Sequence, residues 1–299
     1  MTSSGPLIVT GATGNLGQLV IKELLETHKI PPAKIIAVTR TVEKLADLKK
    51  KGVDVRAGDF NDVNSLKAAF KGGQRVLIIA TKDFQNRRRH HEAAIKEASA
   101  AGVKHVVFTG TVTQPANVKP FLLDLQEIEG VLAKTPGITY SLVAFNLWME
   151  TQLDFLNGAI ASGKLYTTSA TGKAAYISRE DYAKACAAAL ASNSTTSAKY
   201  EVTGSEAIDR KTLAAIVSKG LGLPKPIQVI EVSQEELQKH LIEAKVPEMY
   251  AHFMTEIDRA LKDGNLATIG NGFNKLTGKQ SEKYAAFIER NKANYAAKK

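Results

Sequence analysis

Short apolar runs rich in β-branched residues alternate with helical patterns through the first half of the chain. This alternation constrains the fold more than any other feature, because it is typical of βαβ units with a parallel sheet. The run Val76-Leu77-Ile78-Ile79-Ala80 is apolar throughout, as expected for a strand buried on both faces. The predicted strands are Leu7–Thr10, Ile35–Thr39, Val53–Arg56, Arg75–Ala80, His105–Thr109 and Thr139–Val143. The predicted helices between them are Asn15–His28, Val42–Lys51, Val63–Phe70, Arg88–Ala101 and Phe121–Lys134.

After residue 145 the alternation gives way to a mostly helical pattern. Its predicted helices are Leu147–Ala161, Glu180–Ala191, Lys211–Lys219, Gln234–Glu243, Pro247–Asp263 and Ser281–Tyr295, and its predicted strands are Leu165–Thr167, Ala175–Ile177, Lys199–Thr203 and Ile227–Val232. We therefore expect an α/β protein with two domains. Residues 1–145 form a doubly wound, Rossmann-like parallel sheet, and residues 146–299 form a smaller, mostly helical domain on the substrate side. Some segments of this second part are expected to return to the sheet.

Composition excludes several classes of protein. The chain has 299 residues, 44% of them hydrophobic, which is typical of a globular protein and not of a disordered one. Its single cysteine, Cys186, cannot form an intramolecular disulfide or a cysteine-based metal site, and we expect it to be a small buried residue. No apolar run is long enough to span a membrane, and the first residues do not resemble a signal peptide, so we expect a cytoplasmic protein.

The net charge is +10, which favours an anionic partner such as a phosphate-bearing small molecule. The positive charges are mostly lysines scattered along predicted helix faces, and we interpret them as a solvated basic surface. The densest basic run, residues 87–91, is interpreted as the solvated first turn of a helix, because it lacks the interleaved aromatic residues typical of nucleic-acid binding. Neither a nucleic-acid nor a membrane partner is expected, no metal site is expected, and a homo-oligomer is possible.

A glycine-rich turn follows the first predicted strand and opens the first helix. The sequence is Thr10-Gly11-Ala12-Thr13-Gly14-Asn15-Leu16-Gly17, with alanine where the commoner dinucleotide fingerprint has glycine. Gly11 permits the tight turn, Gly14 lets the backbone approach a pyrophosphate, and Gly17 lets helix and strand pack closely. The helix N-terminus supplies free N–H groups for phosphates. The motif predicts a dinucleotide site formed by Gly11, Ala12, Thr13, Gly14, Asn15 and Leu16.

The end of the second strand predicts which dinucleotide binds. An NAD site usually has an acidic residue there for the ribose 2′-hydroxyl, but this strand ends in Val38-Thr39-Arg40. A guanidinium suits a 2′-phosphate by charge and by its forked geometry, so Arg40 predicts NADP(H). Lys44 lies one turn further on and is a candidate second cation. The alternative is that Arg40 is a surface residue and that selectivity is set elsewhere.

Two further strand ends supply candidate cofactor residues. Asp59 and Phe60 follow the third strand, where the carboxylate can accept from the adenine amino group and the ring can cover the base. The equally weighted alternative for Asp59 is an N-cap of the next helix. Ala80, Thr81 and Lys82 follow the fourth strand, on the edge expected to face the nicotinamide.

The sequence indicates the substrate site less specifically than it indicates the cofactor site. The Tyr-x-x-x-Lys pair that usually serves alcohol and carbonyl chemistry occurs only at Tyr295 and Lys299, far from any strand end. Phe145, Asn146 and Trp148 follow the sixth strand and are candidates for a pocket wall, with ordinary helix packing as the alternative. Thr111, just beyond the fifth strand, is a candidate hydroxyl donor. No catalytic acid or base can be assigned from the sequence.

The chain resembles the NmrA-like branch of the atypical short-chain dehydrogenases, and within it the NADPH:quinone oxidoreductase and triphenylmethane reductase group. The resemblance covers essentially the whole length. The motifs that carry it are the glycine turn, Val38-Thr39-Arg40, Gly58-Asp59-Phe60, the segment from Ala101 to Thr109, Gly137-Ile138-Thr139-Tyr140-Ser141-Leu142 and Tyr200-Glu201-Val202-Thr203-Gly204. The resemblance implies NADPH bound by the glycine turn and the arginine after the second strand, with the substrate between the two domains.

The predicted function is that of an NADPH-dependent reductase acting on a quinone or a similar conjugated small-molecule acceptor. Hydride addition to a quinone gives a delocalised anion that water can protonate, so this reaction does not need the missing tyrosine–lysine pair. Positioning the acceptor over the nicotinamide can then supply much of the catalysis. The alternative is an NADP(H)-binding redox sensor without turnover, since some relatives with this fold are regulators.

Overall fold

The computed structural model describes residues 5–112 and 123–296. Its strands are β1 (Leu7–Val9), β2 (Ile35–Thr39), β3 (Asp54–Ala57), β4 (Arg75–Ile78), β5 (His105–Thr111), β6 (Thr139–Phe145), β7 (Lys164–Thr167), β8 (Lys173–Ala174), β9 (Ala198–Val202), β10 (Ile208–Asp209) and β11 (Gln228–Glu231). Its helices are α1 (Asn15–Glu26), α2 (Ala46–Lys50), α3 (Val63–Phe70), α4 (Arg87–Ala100), α5 (Leu123–Lys134), α6 (Met149–Phe155), α7 (Asn157–Ser162), α8 (Arg179–Ala191), α9 (Arg210–Leu221), α10 (Gln234–Glu243), α11 (Glu248–Lys262), α12 (Gly272–Thr277) and α13 (Tyr284–Ala296).

Seven strands form one parallel sheet in the order β3-β2-β1-β4-β5-β6-β9. This confirms the predicted doubly wound, Rossmann-like fold, because β1 lies beside both β2 and β4 and the direction of winding reverses between β1 and β4. Ligands of such sheets bind outside the carboxyl ends of the strands, at the point of reversal.

The sheet is buried on both faces because side chains alternate along each strand. Leu7 and Val9 of β1 belong to a core formed with α1 and α8, whereas Ile8 belongs to a second core formed with α3 and α4. A third core lies among the helices after residue 145 and includes Leu213, Val217, Tyr284 and Ile288. The mostly helical character of the second part is therefore confirmed, and it has a core of its own.

The second part also contributes to the sheet. β9 is the seventh strand, paired with β6, and α8 packs against α1 on the sheet face. Buried Arg75 in β4 fastens α8 to the sheet, since its guanidinium donates to the carbonyl oxygens of Ala189, Leu190 and Ser194 at 3.1, 3.0 and 2.8 Å. The expectation that segments after residue 145 return to the sheet agrees with this arrangement, while a domain boundary at 145/146 stays a prediction.

Several predicted elements differ in detail. The helix predicted over Leu147–Ala161 is two helices, α6 and α7, and the strand predicted at Ala175–Ile177 lies at Lys173–Ala174. The helix predicted from Val42 begins as a 3₁₀ turn, Val42–Leu45. β10 and α12 were not predicted, because both are too short for hydrophobic periodicity to show. Residues 121 and 122 of the predicted fifth helix lie outside the described residues.

Three expectations from the sequence concern Cys186, membrane-spanning helices and metal sites. Cys186 is fully buried in α8, as predicted, and burial raises the pKa of its thiol. No helix in residues 5–112 or 123–296 combines the length and apolar character needed to cross a bilayer. Within the same ranges, no group of three or more His, Cys, Asp or Glu residues could hold a metal ion.

Candidate active site

A cavity of about 730 Å³ lies along the carboxyl edge of the parallel sheet. Its wall includes residues at or just beyond the ends of six strands, namely Thr10, Thr39, Gly58, Ile79, Thr111 and Phe145. Small-molecule sites in proteins typically occupy about 300–1,000 Å³, so the cavity is large enough for a ligand of considerable size. The cavity is also in the position where open α/β sheets bind ligands.

The glycine turn forms one end of this cavity. Gly11 has φ of 61°, a left-handed conformation that favours glycine, and the Gly14 N–H donates to the Gly11 carbonyl at 2.9 Å. A Cβ on Gly17 would lie 2.3 Å from the Gly11 carbonyl oxygen, which confirms the predicted close packing of helix and turn. Gly14 is the N-cap of α1 and provides no side-chain cap, so the N–H groups of the first turn remain available to an anion.

Most of the motif residues line the cavity, but Ala12 does not. Gly11, Thr13, Gly14, Asn15 and Leu16 are in the wall, whereas the side chain of Ala12 is fully buried in the core. The Thr13 and Thr39 hydroxyls lie 3.0 Å apart and join the turn to the end of β2. Any contact of Ala12 with a ligand would therefore have to come from its backbone, and the alanine side chain serves packing.

Arg40 and Lys44, the two cations proposed after β2, lie in different surroundings. Arg40 lines the cavity, and its guanidinium has no hydrogen-bond or ion-pair partner within residues 5–112 and 123–296. Lys44 belongs to the 3₁₀ turn after β2; it is exposed and is not part of the cavity wall. The structure therefore puts Arg40 in the wall itself, while Lys44 as a second cation stays a prediction.

Two acidic residues that follow β3 have different roles. Asp59 lines the cavity and accepts from the Asn61 N–H at 3.0 Å. Asp62 is the N-cap of α3, accepting from the N–H groups of Asn64 and Ser65 at 3.0 and 3.3 Å. The N-cap alternative for Asp59 is therefore wrong. Phe60 also lines the cavity, as the adenine interpretation requires.

The segment after β4 is fixed by hydrogen bonds to its backbone. Ala80, Thr81 and Lys82 all line the cavity. The Ala80 N–H donates to the Thr109 hydroxyl at 2.8 Å, and the Thr81 N–H donates to His91 Nε2 at 3.1 Å. His91 must therefore be neutral with its proton on Nδ1, because Nε2 is an acceptor here. Burial, together with the charges of Arg87 and His90, lowers the pKa of His91 to about 3.

The basic run at the start of α4 is not the solvated turn that was predicted. Arg87, His90 and His91 are buried, and only Arg88 and Arg89 are exposed. The buried members lie on one helical face, at positions i, i+3 and i+4, and this face packs toward Phe60 and the sheet. His90 lines the cavity, with its Nε2 2.9 Å from Asn61 Oδ1. Helical spacing within the run was the signal that sequence reasoning missed.

The four residues proposed for the acceptor, Thr111, Phe145, Asn146 and Trp148, all line the same cavity. The Phe145 and Trp148 rings stack with centroids 4.3 Å apart, and Tyr182 packs against both at 5.1 and 5.0 Å. Asn146 Nδ2 donates to the Leu266 carbonyl at 2.7 Å, and its buried Oδ1 has no partner within the described residues. The Thr111 hydroxyl makes a long 3.5 Å contact with the Phe145 carbonyl.

Sequence reasoning missed residues that come to the cavity from distant segments. Arg179, at the start of α8, lies with its guanidinium carbon 5.5 Å from the centre of the Trp148 ring. Tyr182 follows one turn later, and its hydroxyl donates to the Val143 carbonyl at 2.6 Å. The remaining missed wall residues on α6 and from residue 253 onward are Thr151, Gln152, Phe253, Glu256, Ile257, Ala260 and Leu266. A helical pattern over Pro247–Asp263 was visible, but nothing in it indicated which face meets the sheet edge.

Comparisons with known proteins identify relatives that match most of the chain. The model of the NmrA-like family matches residues 3–289. Quinone oxidoreductase 2 of Escherichia coli is 29% identical over 272 residues, covering 91% of this chain and 93% of that protein. The NAD(P)H azoreductase of Xenophilus azovorans is 25% identical over 295 residues, covering 97% and 99%.

Solved structures of similar reductases superpose on most of this chain. The triphenylmethane reductase of Citrobacter sp. complexed with NADP(H) matches with a TM-score of 0.86 and 30% identity, covering 96% of this chain and 99% of that one. The NADPH-dependent quinone oxidoreductase of Escherichia coli complexed with NADPH matches with a TM-score of 0.86 and 28% identity, covering 95% and 99%. The predicted cofactor, NADP(H), and the predicted class, an NADPH-dependent oxidoreductase, are confirmed by these comparisons. The chain belongs to the NmrA-like family.

Proposed function

We propose that this NADPH-dependent oxidoreductase reduces a quinone or a similar conjugated acceptor. The observation that carries the proposal is the continuity of the cavity, which runs from the glycine turn and Arg40 to the aromatic wall of Phe145 and Trp148. One wall thus joins phosphate-binding features to a flat apolar surface suited to a planar acceptor. The quinone oxidoreductase and the azoreductase among the relatives act on conjugated acceptors according to their names, which supports this substrate class.

The residues around the cavity fit the dinucleotide. We assign the diphosphate to the N–H groups of Thr13, Asn15 and Leu16 in the glycine turn and the first turn of α1. We assign the 2′-phosphate to Arg40, and the adenine edge to Asp59 and Phe60. Ala80, Thr81 and Lys82 border the nicotinamide end. When bound, NADPH supplies the hydride. The protein's part is to bind and orient both molecules, since proximity and orientation can contribute much of a rate enhancement.

The cavity wall supports a reaction that needs no strong protein acid. Tyr182 is the tyrosine in the wall, but its hydroxyl is engaged with the Val143 carbonyl at 2.6 Å. Burial also raises the pKa of Tyr182 well above its ordinary value, which makes its hydroxyl a poorer proton donor. A quinone that receives a hydride with its electron pair becomes an anion delocalised over the ring and oxygen, and this anion takes its proton from water.

Steady-state NADPH oxidation with a panel of quinones tests the proposal. We expect multiple turnovers for each enzyme molecule. We also expect little loss of kcat/KM when polar substituents far from the quinone oxygens are changed. NADPH binding without turnover on any quinone would contradict the proposal and favour the redox-sensor alternative. Turnover on azo compounds or triarylmethane dyes alone would retain an NADPH-dependent reductase but replace the acceptor class.

A further inference from the structure

Gln152 is a buried polar residue at the acceptor end of the cavity. The residue belongs to the cavity wall and is 2% exposed. Its Oε1 accepts a hydrogen bond from Arg210 Nη1 at 2.8 Å. A guanidinium can only donate, so this contact fixes which end of the amide is oxygen and which is nitrogen. The Gln152 Nε2 group is therefore turned away from Arg210.

The amide nitrogen of Gln152 has no hydrogen-bond partner among the described residues. This nitrogen is not completely shielded by protein atoms. Because Gln152 lines the cavity, the nitrogen opens onto the cavity and is not sealed in the core. A buried N–H donor without a partner is unfavourable in an empty protein and favourable once a ligand oxygen reaches it. The amide thus points to a ligand that carries a hydrogen-bond acceptor.

The orientation of Gln152 is held by a buried ion pair. Arg210 Nη2 donates to Asp258 at 3.0 Å, and Asp258 accepts from the Thr167 hydroxyl at 2.7 Å and from the Thr168 N–H. These contacts join α6, α9, α11 and the segment at the end of β7. Buried ion pairs are often no more stabilising than apolar replacements, but they fix geometry. Here the pair fixes a donor against an apolar wall that includes Trp148, Ile257 and Leu266.

We propose that the Gln152 amide donates a hydrogen bond to an oxygen of the hydride acceptor and thereby selects acceptors that carry a carbonyl. Arg210 is the positioning residue that presents this amide. The inference rests on the proposed function. When a quinone takes the hydride from NADPH, which becomes NADP⁺, negative charge develops on a quinone oxygen until water protonates it. A fixed donor aimed at that oxygen stabilises the transition state more than the ground state.

Gln152→Met and Gln152→Glu test the donor in two ways. Methionine keeps the length of the side chain and removes the amide, whereas glutamate keeps an acceptor for Arg210 but removes both donors. We expect each variant to lower kcat/KM for 1,4-naphthoquinone by about tenfold, the factor expected from one lost hydrogen bond. Gln228→Met is the matched control, since Gln228 is exposed and lies outside the cavity wall.

A triarylmethane dye cation separates the donor role from general packing. It accepts the hydride at its central carbon and becomes neutral, so no oxygen anion forms and no donor is needed. We expect the Gln152 variants to reduce this dye at the rate of the wild type. Equal losses for quinone and dye would show that Gln152 only packs, and unchanged quinone kinetics would show that it does not contact the acceptor. Either result overturns the inference.

Binding gives a readout that does not depend on turnover. The chain has a single tryptophan, Trp148, in the cavity wall, so its fluorescence can report naphthoquinone binding to the protein with NADP⁺ bound. We expect weaker quinone binding in both Gln152 variants, with NADPH affinity close to that of Gln228→Met. The melting temperature of Gln152→Met should fall, because Arg210 Nη1 loses its buried acceptor. A wild type that reduces no quinone would contradict the proposed function, whereas quinone turnover indifferent to Gln152 would contradict this inference alone.

Discussion

The two ends of the cavity are built in different ways. The cofactor end comes mainly from short segments that directly follow β1, β2, β3 and β4, and each segment carries its own local signal. The acceptor end is assembled from four separated segments, around residues 145–152, 179–182, 253–260 and 266. A local motif can be recognised from adjacent residues in the sequence, whereas the residues of a wall assembled by packing lie far apart in the sequence. This difference explains why the cofactor could be predicted more specifically than the acceptor.

The largest effect is expected from Gly14→Val at the cofactor end. A Cβ on Gly14 would already lie 3.2 Å from the Gly11 carbonyl oxygen, and a branched side chain would occupy the space where the diphosphate approaches the backbone. We expect NADPH binding to be abolished while the helical circular dichroism is retained. Gly130→Val is the control, since a Cβ there meets nothing within 4 Å. Normal NADPH affinity in a folded Gly14→Val protein would contradict the assignment of the glycine turn.

Arg40→Asp is expected to have the next largest effect, and it tests how locally the cofactor preference is encoded. Removing a charge-assisted contact to the 2′-phosphate typically costs about 1.5–3 kcal/mol, and the new carboxylate adds repulsion. We expect NADPH to bind more than tenfold less tightly, with little change for NADH, as measured by titration calorimetry. Lys44→Asp makes the same charge change outside the cavity wall and is expected to change the NADPH to NADH ratio much less. Equal ratios in Arg40→Asp and wild type would show that another group recognises the phosphate.

Substitution of His91 tests its hydrogen bond with the Thr81 N–H, a contact that only the tertiary structure shows. Burial lowers the folded-state pKa of His91 to about 3, from an ordinary value of 6.5. The unfolded chain therefore binds the proton first as the pH falls, so stability is lost between about pH 6.5 and pH 3. The slope for one such group is up to about 1.4 kcal/mol per pH unit.

We expect urea unfolding of wild type at pH 7 and pH 5 to show this loss, and His91→Leu to show a smaller difference between the two pH values. His105 is also buried, with a pKa lowered to about 3, but it is present in both proteins and cancels in the comparison. An identical pH dependence of wild type and His91→Leu would mean that His91 has the same pKa in the folded and unfolded protein, so that it is protonated in the folded protein at pH 5. It would then not accept from the Thr81 N–H.

Phe145→Ala is expected to have the smallest effect. It distinguishes a packing role from an acceptor-binding role for a residue at the acceptor end of the cavity. Loss of the ring removes its stacking on Trp148, worth about 0.5–1.5 kcal/mol beyond buried area, so we expect a lower melting temperature. If the ring also covers the acceptor, KM for quinones should rise several-fold while NADPH affinity stays nearly constant. Urea unfolding, quinone kinetics and NADPH titration on the same preparation separate these effects. A stability loss with unchanged quinone KM would assign Phe145 to packing alone.

Much of the cofactor half could be predicted because its signals are local. The central strands of the sheet show continuous apolar runs, the turn after β1 has glycine at φ 61°, and Arg40, the predicted partner of the 2′-phosphate, directly follows β2. The errors there arose where a local pattern had two interpretations. Asp59 was weighed as a cap, but the cap of α3 is Asp62, three residues later. The run from Arg87 to His91 was interpreted by its charge instead of by its helical spacing.

The sequence by itself determined the doubly wound sheet, the glycine turn after β1 and the prediction of NADP(H), since apolar strands, glycine spacing and the arginine after β2 are all patterns of a few neighbouring residues. Only the tertiary structure decided that Gln152 faces the cavity with its oxygen held by Arg210, and that Tyr182 is engaged with the Val143 carbonyl. Gln152 and Arg210 are separated by 58 positions in the chain. Their contact exists only because the helices of the second part pack around a shared core and against the sheet edge, and no local pattern records that packing.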